Sequence, residues 1–301
     1  MMTTISCVGI AVLDYLFSMA ELPDGGGKHY ATGYREVGGG VAANAAAAIA
    51  RLGGKARYVG RIGDDPVGAR IVADLAALGV DVSGVEEVDG VSSPVSAVLV
   101  DRAGERTIIN YTSDALFAAG DASAAADMTD VDGVLVDVRW PAGAARALAA
   151  AAEAGIPSVF DFDRPMTDGG KSLLALASHV VFSETALAET ASVGDPGEGL
   201  LVIRERTGAF LAVTTGAGGV WWLDDGMEVR HQPAFPVDVV DTVGAGDVFH
   251  GAFALALAER QPEPAALRFA AAAAALKCAR PGGRAGTPAR EEVEELLKGD
   301  R

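Results

Sequence analysis

Val134-Leu135-Val136-Asp137-Val138, the alanine-rich run from Ala142 to Ala154, and Ser158-Val159-Phe160-Asp161-Phe162 follow one another almost without interruption. The two outer runs are short, apolar and of strand type, and the segment between them has the length and composition of a helix. Ser172–Ala177 then reads as a second helix and His179–Phe182 as a third strand. Strand, helix and strand in succession predict parallel strands joined by helical crossovers. The same rhythm extends outward. Ile5–Val12 reads as a first strand ending near Asp14, and Arg57–Val59 as the next. Gly60–Gly68 is then a turn into the helix Ala69–Leu78, and Ala209–Thr214 is a further strand.

The rhythm is broken in two places. Lys28 to Val37 alternates loosely like an exposed strand pair, and Ser92–Val100 with Arg106–Tyr111 reads as a hairpin around Asp101-Arg102-Ala103-Gly104. The segments of roughly 15–37 and 92–112 therefore predict a small β lid over the mouth of the main sheet. Lids of that kind exclude water during group transfer. The expectation is one α/β domain over residues 1–301, with a mostly parallel sheet.

Composition limits what this domain does. Half of the 301 residues are hydrophobic, enough for a well-buried sheet. The formal net charge of −17 argues against a nucleic-acid surface, which needs clustered Lys and Arg. No basic region precedes a long apolar core at the start, and the apolar runs are too short to span a bilayer. A cytoplasmic protein without a membrane partner is expected. Cys7 and Cys278 lack metal-site spacing and read as free thiols. None of the four histidines reads as a nucleophile or metal ligand: His29 belongs to lid surface, and His179, His231 and His250 to packed elements.

The chemistry is concentrated in Asp241-Thr242-Val243-Gly244-Ala245-Gly246-Asp247, which runs into a helical pattern. Small residues at a helix start leave the Gly244, Ala245 and Gly246 amides open to an anion. Beside a bound phosphate, Asp247 can take the proton of an attacking hydroxyl. Other positions carry a ligand reading next to a structural one. Asp14 is a sugar-hydroxyl acceptor or a surface turn. Gly39, Gly40 and Asn44 are a ligand approach or tight helix packing, and Arg139 is an oxyanion reader or forms a salt bridge to nearby acids such as Asp137. Thr214, Gly216 and Gly219 border a nucleotide or close a hairpin. The loop Arg280–Pro288 is a phosphate-binding loop or a plain connection.

Taken as an ordered series, Asp14, Gly39-Gly40 with Asn44, Gly60–Gly68, Thr214 with Gly216 and Gly219, and Asp241–Asp247 resemble the ribokinase-like (PfkB) carbohydrate kinases over nearly the whole chain. The resemblance implies a three-layer α/β/α sandwich with a β lid, ATP with Mg²⁺, and transfer of the γ-phosphoryl group to a sugar hydroxyl. It makes Asp247 the base and Gly244, Ala245 and Gly246 the anion hole. Asp14, Gly39, Gly40 and Asn44 then bind sugar, and Thr214, Gly216 and Gly219, with Gly244 and Gly246, bind nucleotide. It also suggests a homodimer paired through the lid.

Two departures stand out. Ser183-Glu184-Thr185-Ala186 replaces the family's Asn-x-x-Glu segment, so the metal ligands are unassigned. Val41 stands where ribokinases place Lys, which counts against ribose. A narrower resemblance to the sulfofructose kinases rests on Val37–Gly40, Gly104–Arg106 through Ile108–Tyr111, Asp137–Trp140, His231–Phe235, and Ala275–Cys278 through Arg280–Gly286. It implies a sulfonated ketose, 6-deoxy-6-sulfofructose, with Lys28, Asn110 and Arg139 converging on its tail. Kinases for fructose, a phosphosugar or another ketose, and a non-catalytic sugar or nucleotide sensor, are the competing readings.

Overall fold

The computed structural model describes residues 2–118, 122–164 and 172–299. Its strands in chain order are β1 (Thr4–Val8), β2 (Val12–Ser18), β3 (Gly33–Gly39), β4 (Lys55–Gly63), β5 (Asp81–Val88), β6 (Val95–Val100) and β7 (Arg106–Tyr111). They continue with β8 (Gly133–Val136), β9 (Ser158–Phe162), β10 (His179–Ser183), β11 (Phe210–Thr214), β12 (Val220–Leu223) and β13 (Val229–Gln232). Nine of these form one sheet in the order β13-β12-β11-β10-β9-β8-β1-β4-β5. All of its pairings are parallel except those made by β12 and β13. The remaining four form a small sheet, β3-β2-β6-β7.

Alternation along the strands divides the core. Leu135, Val159 and Val181 point to one face, where the helices Val41–Arg51, Ala245–Ala258 and Glu263–Cys278 pack. Val134, Val136, Phe160 and Val180 point to the other, against Pro141–Ala154, Glu184–Ala191 and Pro196–Arg204. A parallel sheet buried on both faces by helices is the three-layer α/β/α arrangement that the strand–helix rhythm predicts. Among the described residues no helix is long and apolar enough to cross a membrane. Cys7 and Cys278 are free thiols, with burial pushing both upward in pKa.

Several elements differ from the sequence expectation. The first strand stops at Val8, because the buried carboxylate of Asp137 occupies the space beside Gly9: a Cβ there would lie 2.2 Å from Asp137 Oδ2. That oxygen accepts from the amides of Ile10 at 2.8 Å and Ala42 at 3.2 Å, and the chain crosses into the small sheet. Asp14 consequently lies within β2, not past the end of a strand of the main sheet. β4 continues to Gly63, so Gly60–Gly63 is strand and not turn. Its glycines admit close neighbours: a Cβ would lie 2.6 Å from Gly9 O at Gly60 and 1.9 Å from Val91 O at Gly63. The helix expected at Ser172–Ala177 is a four-residue 3₁₀ turn, Ser172–Ala175. β5, β13 and the helices Glu184–Ala191 and Pro196–Arg204 have no counterpart in the sequence reading.

One packing contact positions the site. The helix Val41–Arg51 buries Ala42, Ala43 and Ala45–Ala48, so its surface is nearly smooth. Gly251 of the helix Ala245–Ala258 presses directly on it, and a Cβ at Gly251 would lie 2.8 Å from Ala45 O. Two backbones brought this close leave no room for a methyl group. Gly251→Ala is expected to destabilise the fold by about 1–3 kcal/mol through overpacking, read from urea unfolding midpoints at unchanged m. A loss below about 0.5 kcal/mol, the size of an ordinary surface change, would show that the contact is not a constraint.

Candidate active site

Gly244 caps the helix Ala245–Ala258 in the left-handed region, at φ 74°, which favours glycine. The Ala245 amide donates to Thr242 O at 3.2 Å, so that residue is engaged in the turn. Gly246 and Asp247 belong to the first helical turn, where N–H groups have no intrahelical acceptor. A Cβ at Gly246 would meet nothing within 4 Å, so the approach to these amides is open.

Asp247 borders a cleft of about 550 Å³. It is half-buried by surface area, with its carboxyl closely ringed by protein atoms. Burial pushes its pKa up to about 7 and the neighbouring Asp163 adds to the rise, against the hydrogen bond from Asn44 and the charges of Arg139 and Arg284. Asn44 Nδ2 donates to Asp247 Oδ2 at 2.6 Å. At its other end Asn44 Oδ1 accepts from Arg284 Nε at 2.6 Å, and Arg284 Nη2 donates to Gly39 O at 2.5 Å. Burial lowers the Arg284 pKa to about 10, while Asp14 and Asp247 favour its charge. Four residues far apart in sequence, Asp14, Asn44, Asp247 and Arg284, therefore form one polar assembly.

The paired glycines have a physical reason. A Cβ at Gly38 would lie 2.0 Å from Arg284 Nη1, one at Gly39 would lie 2.2 Å from Asp14 Oδ2, and Gly40, at φ 92°, sits 2.5 Å from Ile10 O by the same measure. Gly40 lines the cleft with Asp14 and Asn44; Gly39 lies behind it and makes space for Asp14. Burial pushes the Asp14 carboxyl above the usual range, with Ser96 and Arg284 opposing.

Sequence reasoning misses Arg284 as a site residue, because its loop reads as a phosphate-binding loop or a plain connection. Arg284 turns toward Asn44 and Gly39, while Gly282 and Gly283 line the cleft. Lys277 is missed as well. Its ammonium, fully buried, donates to Asp241 O at 2.8 Å and lies 3.5 Å from Asp241 Oδ2. Burial opposes the charge of Asp241, yet the amides of Val243, Gly282 and Gly283 and the Lys277 ammonium hold its pKa below the usual range. Asp241 and Lys277 thus tie the turn before Gly244 to the loop that carries Arg284. An Ala-rich helix gives no signal for this beyond a cation near its end.

The cleft wall opposite Asp247 is the inner face of the small sheet. Asp14, Ser96 and Asn110 are register partners in one row across it, with Ser96 Oγ donating to Asn110 Oδ1 at 2.8 Å. Arg106 lies on the same face and donates from Nη2 to the Thr242 hydroxyl at 2.7 Å. Arg139 lines the cleft too; its guanidinium forms a salt bridge with Asp163, while its backbone amide donates to Asp137 Oδ1 at 2.7 Å. Its two terminal nitrogens donate to the two carboxylate oxygens, Nη2 to Oδ2 at 2.6 Å. Burial works against the Arg139 charge, but Asp163 and Asp137 raise its pKa above the ordinary value. The Arg139 charge also favours the ionised form of Asp247. Lys28 is exposed in the loop between β2 and β3 and does not line the cleft.

Thr214, Gly216 and Gly219 lie at the carboxyl end of β11, outside the lining of the cleft. Thr214 Oγ1 donates to Phe182 O at 3.3 Å, and the turn closes by Thr215 N to Gly219 O at 2.8 Å. A Cβ at Gly219 would lie 2.2 Å from Gln232 O, so this glycine is required by the hairpin whether or not a nucleotide lies beside it. Ser183 caps the helix Glu184–Ala191, accepting from Ala186 N at 3.2 Å, and Glu184 and Glu189 are exposed. Among the described residues no group of three His, Cys, Asp or Glu is arranged to hold a metal ion. Mg²⁺ carried on nucleotide phosphates keeps several waters and needs few protein ligands. The open first-turn amides of Gly246 and Asp247 suit the phosphates themselves.

Known proteins share this architecture. A ribokinase of Bacillus subtilis is 33% identical over 307 residues, covering 98% of this chain and 100% of the relative. A solved structure from Agrobacterium tumefaciens superposes with a TM-score of 0.95 at 39% identity, covering 100% of this chain and 99% of that one. The Arabidopsis thaliana ribokinase complexed with ribose and ATP gives a TM-score of 0.84 at 27% identity, with 99% of each chain covered. Residues 2–290 match the pfkB family carbohydrate kinase model, and the chain belongs to that family of ATP-dependent, Mg²⁺-using sugar kinases.

Proposed function

We propose that this kinase phosphorylates the carbon-1 hydroxyl of a ketohexose with an anionic tail, 6-deoxy-6-sulfofructose being the substrate its residues suit best. The observation that carries this reading is that Arg35, Arg106, Arg139 and Arg164 line the cleft, beside the carboxylates of Asp14, Asp114, Asp241 and Asp247, in a chain of net charge −17. A neutral sugar gives such cations nothing to bind, and each costs desolvation when the site closes. A sulfonate is a permanent monoanion with three acceptor oxygens, matched by guanidinium donors and the Asn110 amide. Asp163 takes one N–H from each terminal nitrogen of Arg139, and each of those nitrogens has a second N–H to offer.

In the reaction, ATP supplies the phosphoryl group and Mg²⁺ accompanies its phosphates. Asp14 and Asn44 hold the sugar hydroxyls, and Asp247 accepts the proton of the attacking one. The first-turn amides at Gly246 and Asp247 meet the charge that develops on the transferring group. The small sheet covers the cleft and excludes water.

Asp247 acts as a base only when ionised, so kcat/KM for the sugar is expected to rise with pH through about 7. Asn44 donates to the charged form and so lowers that pKa. Asn44→Leu removes the donor and should move the midpoint upward; an unchanged or lower midpoint would contradict the assignment of Asp247.

Substrate identity is read by measuring kcat/KM for sulfofructose, fructose 6-phosphate, fructose and ribose in parallel. Sulfofructose should lead. Arg139→Ala should raise KM for it about 10-fold or more, the scale of a lost charge-assisted bond, with KM for fructose within about twofold. Equal effects on both sugars, or a preference for ribose, would sink the sulfonate reading. A lead for fructose 6-phosphate would move it to a phosphosugar.

We also propose that a second copy of the chain covers the outer face of the small sheet. Alternation puts Tyr15, Phe17, Tyr34, Ile109 and Tyr111 on that face, opposite the cleft. Tyr34, Ile109 and Tyr111 are 56%, 61% and 54% exposed, an apolar patch unusual for a monomer's surface. Light scattering should show a dimer at micromolar concentration and a monomer for Ile109→Glu; a monomeric wild type would end this part of the proposal.

A further inference from the structure

His250 and Asp161 form a buried pair beneath the first turn of the helix Ala245–Ala258, and the chemistry described above does not use them. Their side chains are 4% and 1% exposed. His250 Nδ1 lies 2.7 Å from Gly246 O and 3.0 Å from Asp161 Oδ2. A backbone carbonyl only accepts, so in the tautomer protonated at Nδ1 the ring donates to Gly246 O, with Asp161 Oδ2 near enough to share the proton, while the ring also approaches the Val181 backbone. Burial lowers the His250 pKa against the Gly246 and Val181 backbones and the charge of Asp163, in keeping with a neutral ring.

The pair is costly. His250 Nε2 and Asp161 Oδ1 are buried and have no hydrogen-bond partner. An orphaned buried polar atom costs stability, and two apolar side chains of similar shape would avoid the cost. The surrounding helix is apolar on nearly every side, with Val248, Phe249, Ala252 and Phe253 all buried, so the fold itself has no need of a polar pair here.

Geometry supplies the need. The Gly246 carbonyl and the Asp247 N–H are the two ends of one planar, trans peptide unit. Fixing the carbonyl from below fixes the direction of the N–H above. The carbonyl follows Gly244-Ala245-Gly246, a stretch whose glycines leave the backbone little stiffness of its own.

We propose that His250, held in place by Asp161, is a positioning residue that orients the Gly246–Asp247 peptide, aiming the Asp247 N–H at the charge developing on the transferred phosphoryl group. The inference rests on the reading of this helix start as the phosphoryl-transfer centre. It assigns a role in rate and not in binding, because the demand on that N–H is greatest in the transition state.

The test uses the full-length kinase with ATP, Mg²⁺ and the sugar on which the wild type turns over fastest. His250→Leu should lower kcat about 10- to 100-fold, below or near the cost of deleting an oxyanion donor outright. KM for both substrates should stay within about threefold. His250→Asn, whose amide can donate to the same carbonyl, should recover most of kcat. The double variant Asp161→Leu/His250→Leu should recover the thermal stability lost in His250→Leu without recovering kcat. Recovery of kcat together with stability in the double variant, or a His250→Leu kcat within twofold of wild type, would show a packing role and overturn the proposal. Should His250→Leu fail to fold, the Asn and double variants still decide. Asp247→Asn, run alongside, separates the two ideas: near-normal kcat there would remove the base assignment, while the His250 comparison would still report on the oriented peptide.

Discussion

The hydrogen bond of 2.6 Å from Asn44 to Asp247 is the interaction on which the rest of the site depends. It joins the start of one helix to the start of another that is 203 residues away in sequence. Side chains as short as Asn and Asp meet only if their helices nearly touch. The alanine surface of Val41–Arg51 and the missing side chain at Gly251 allow that approach. A small-residue helix interface, which alone would be a packing detail, is thus what sets the geometry around the Asp247 carboxylate.

Charge is handled by the same economy. Buried Asp247 favours its neutral form, and its pKa of about 7 is a compromise between burial and donors. Arg284 belongs to that balance, since it is enclosed with Asp14 and Asp247 and bonds Asn44 directly. Arg284 is itself delivered by a loop anchored through Asp241 and the buried Lys277 ammonium. The chain of dependence runs from Lys277 through Asp241 and Arg284 to Asn44 and Asp247. Cations and carboxylates thus share one cleft in an acidic protein, with Arg139 placed by Asp163, Arg106 by the Thr242 hydroxyl and Arg284 by Asn44 and the Gly39 carbonyl.

Much of this arrangement is legible in the order of residues alone. The βαβ rhythm around Val134–Phe162 predicts a parallel sheet because period and length are local properties. The Gly244–Asp247 stretch predicts an open helix start for the same reason. What sequence does not show is where the chain changes sheets. Ile5–Val12 is almost uniformly apolar, and the break at Gly9 is imposed by Asp137, which bonds Ile10 from 127 residues away. Gly60 and Gly63 read as turn residues because glycine marks both turns and close backbone approach, and only the neighbours at Gly9 and Val91 distinguish the two. Arg284 and Lys277 are hidden because their partners are non-local. His250 reads as ordinary packing, since an apolar helix around it looks the same whether its ring is satisfied or short of partners. Sequence likeness groups Lys28 with Asn110 and Arg139, and its exposed loop keeps it apart from them in this structure.

The small sheet shows how a period of two can divide one element between two tasks. Asp14, Arg35, Arg106 and Asn110 face the cleft, where polar and cationic groups meet a ligand. Their immediate neighbours Tyr15, Tyr34 and Ile109 face outward, where Tyr34 also stacks with Tyr15 and packs on Phe17. A one-residue slip in any of these strands would exchange the faces, placing tyrosines in the cleft and arginines on the outside. Substrate reading and the apolar outer surface are consequently fixed by one register. Asp14 stands at the join, held in the small sheet by its pairing with Val37 and Ser96 and placed against Arg284 of the main domain. Asp14 is carried by the small sheet, so its carboxylate and the cover over the cleft belong to one piece.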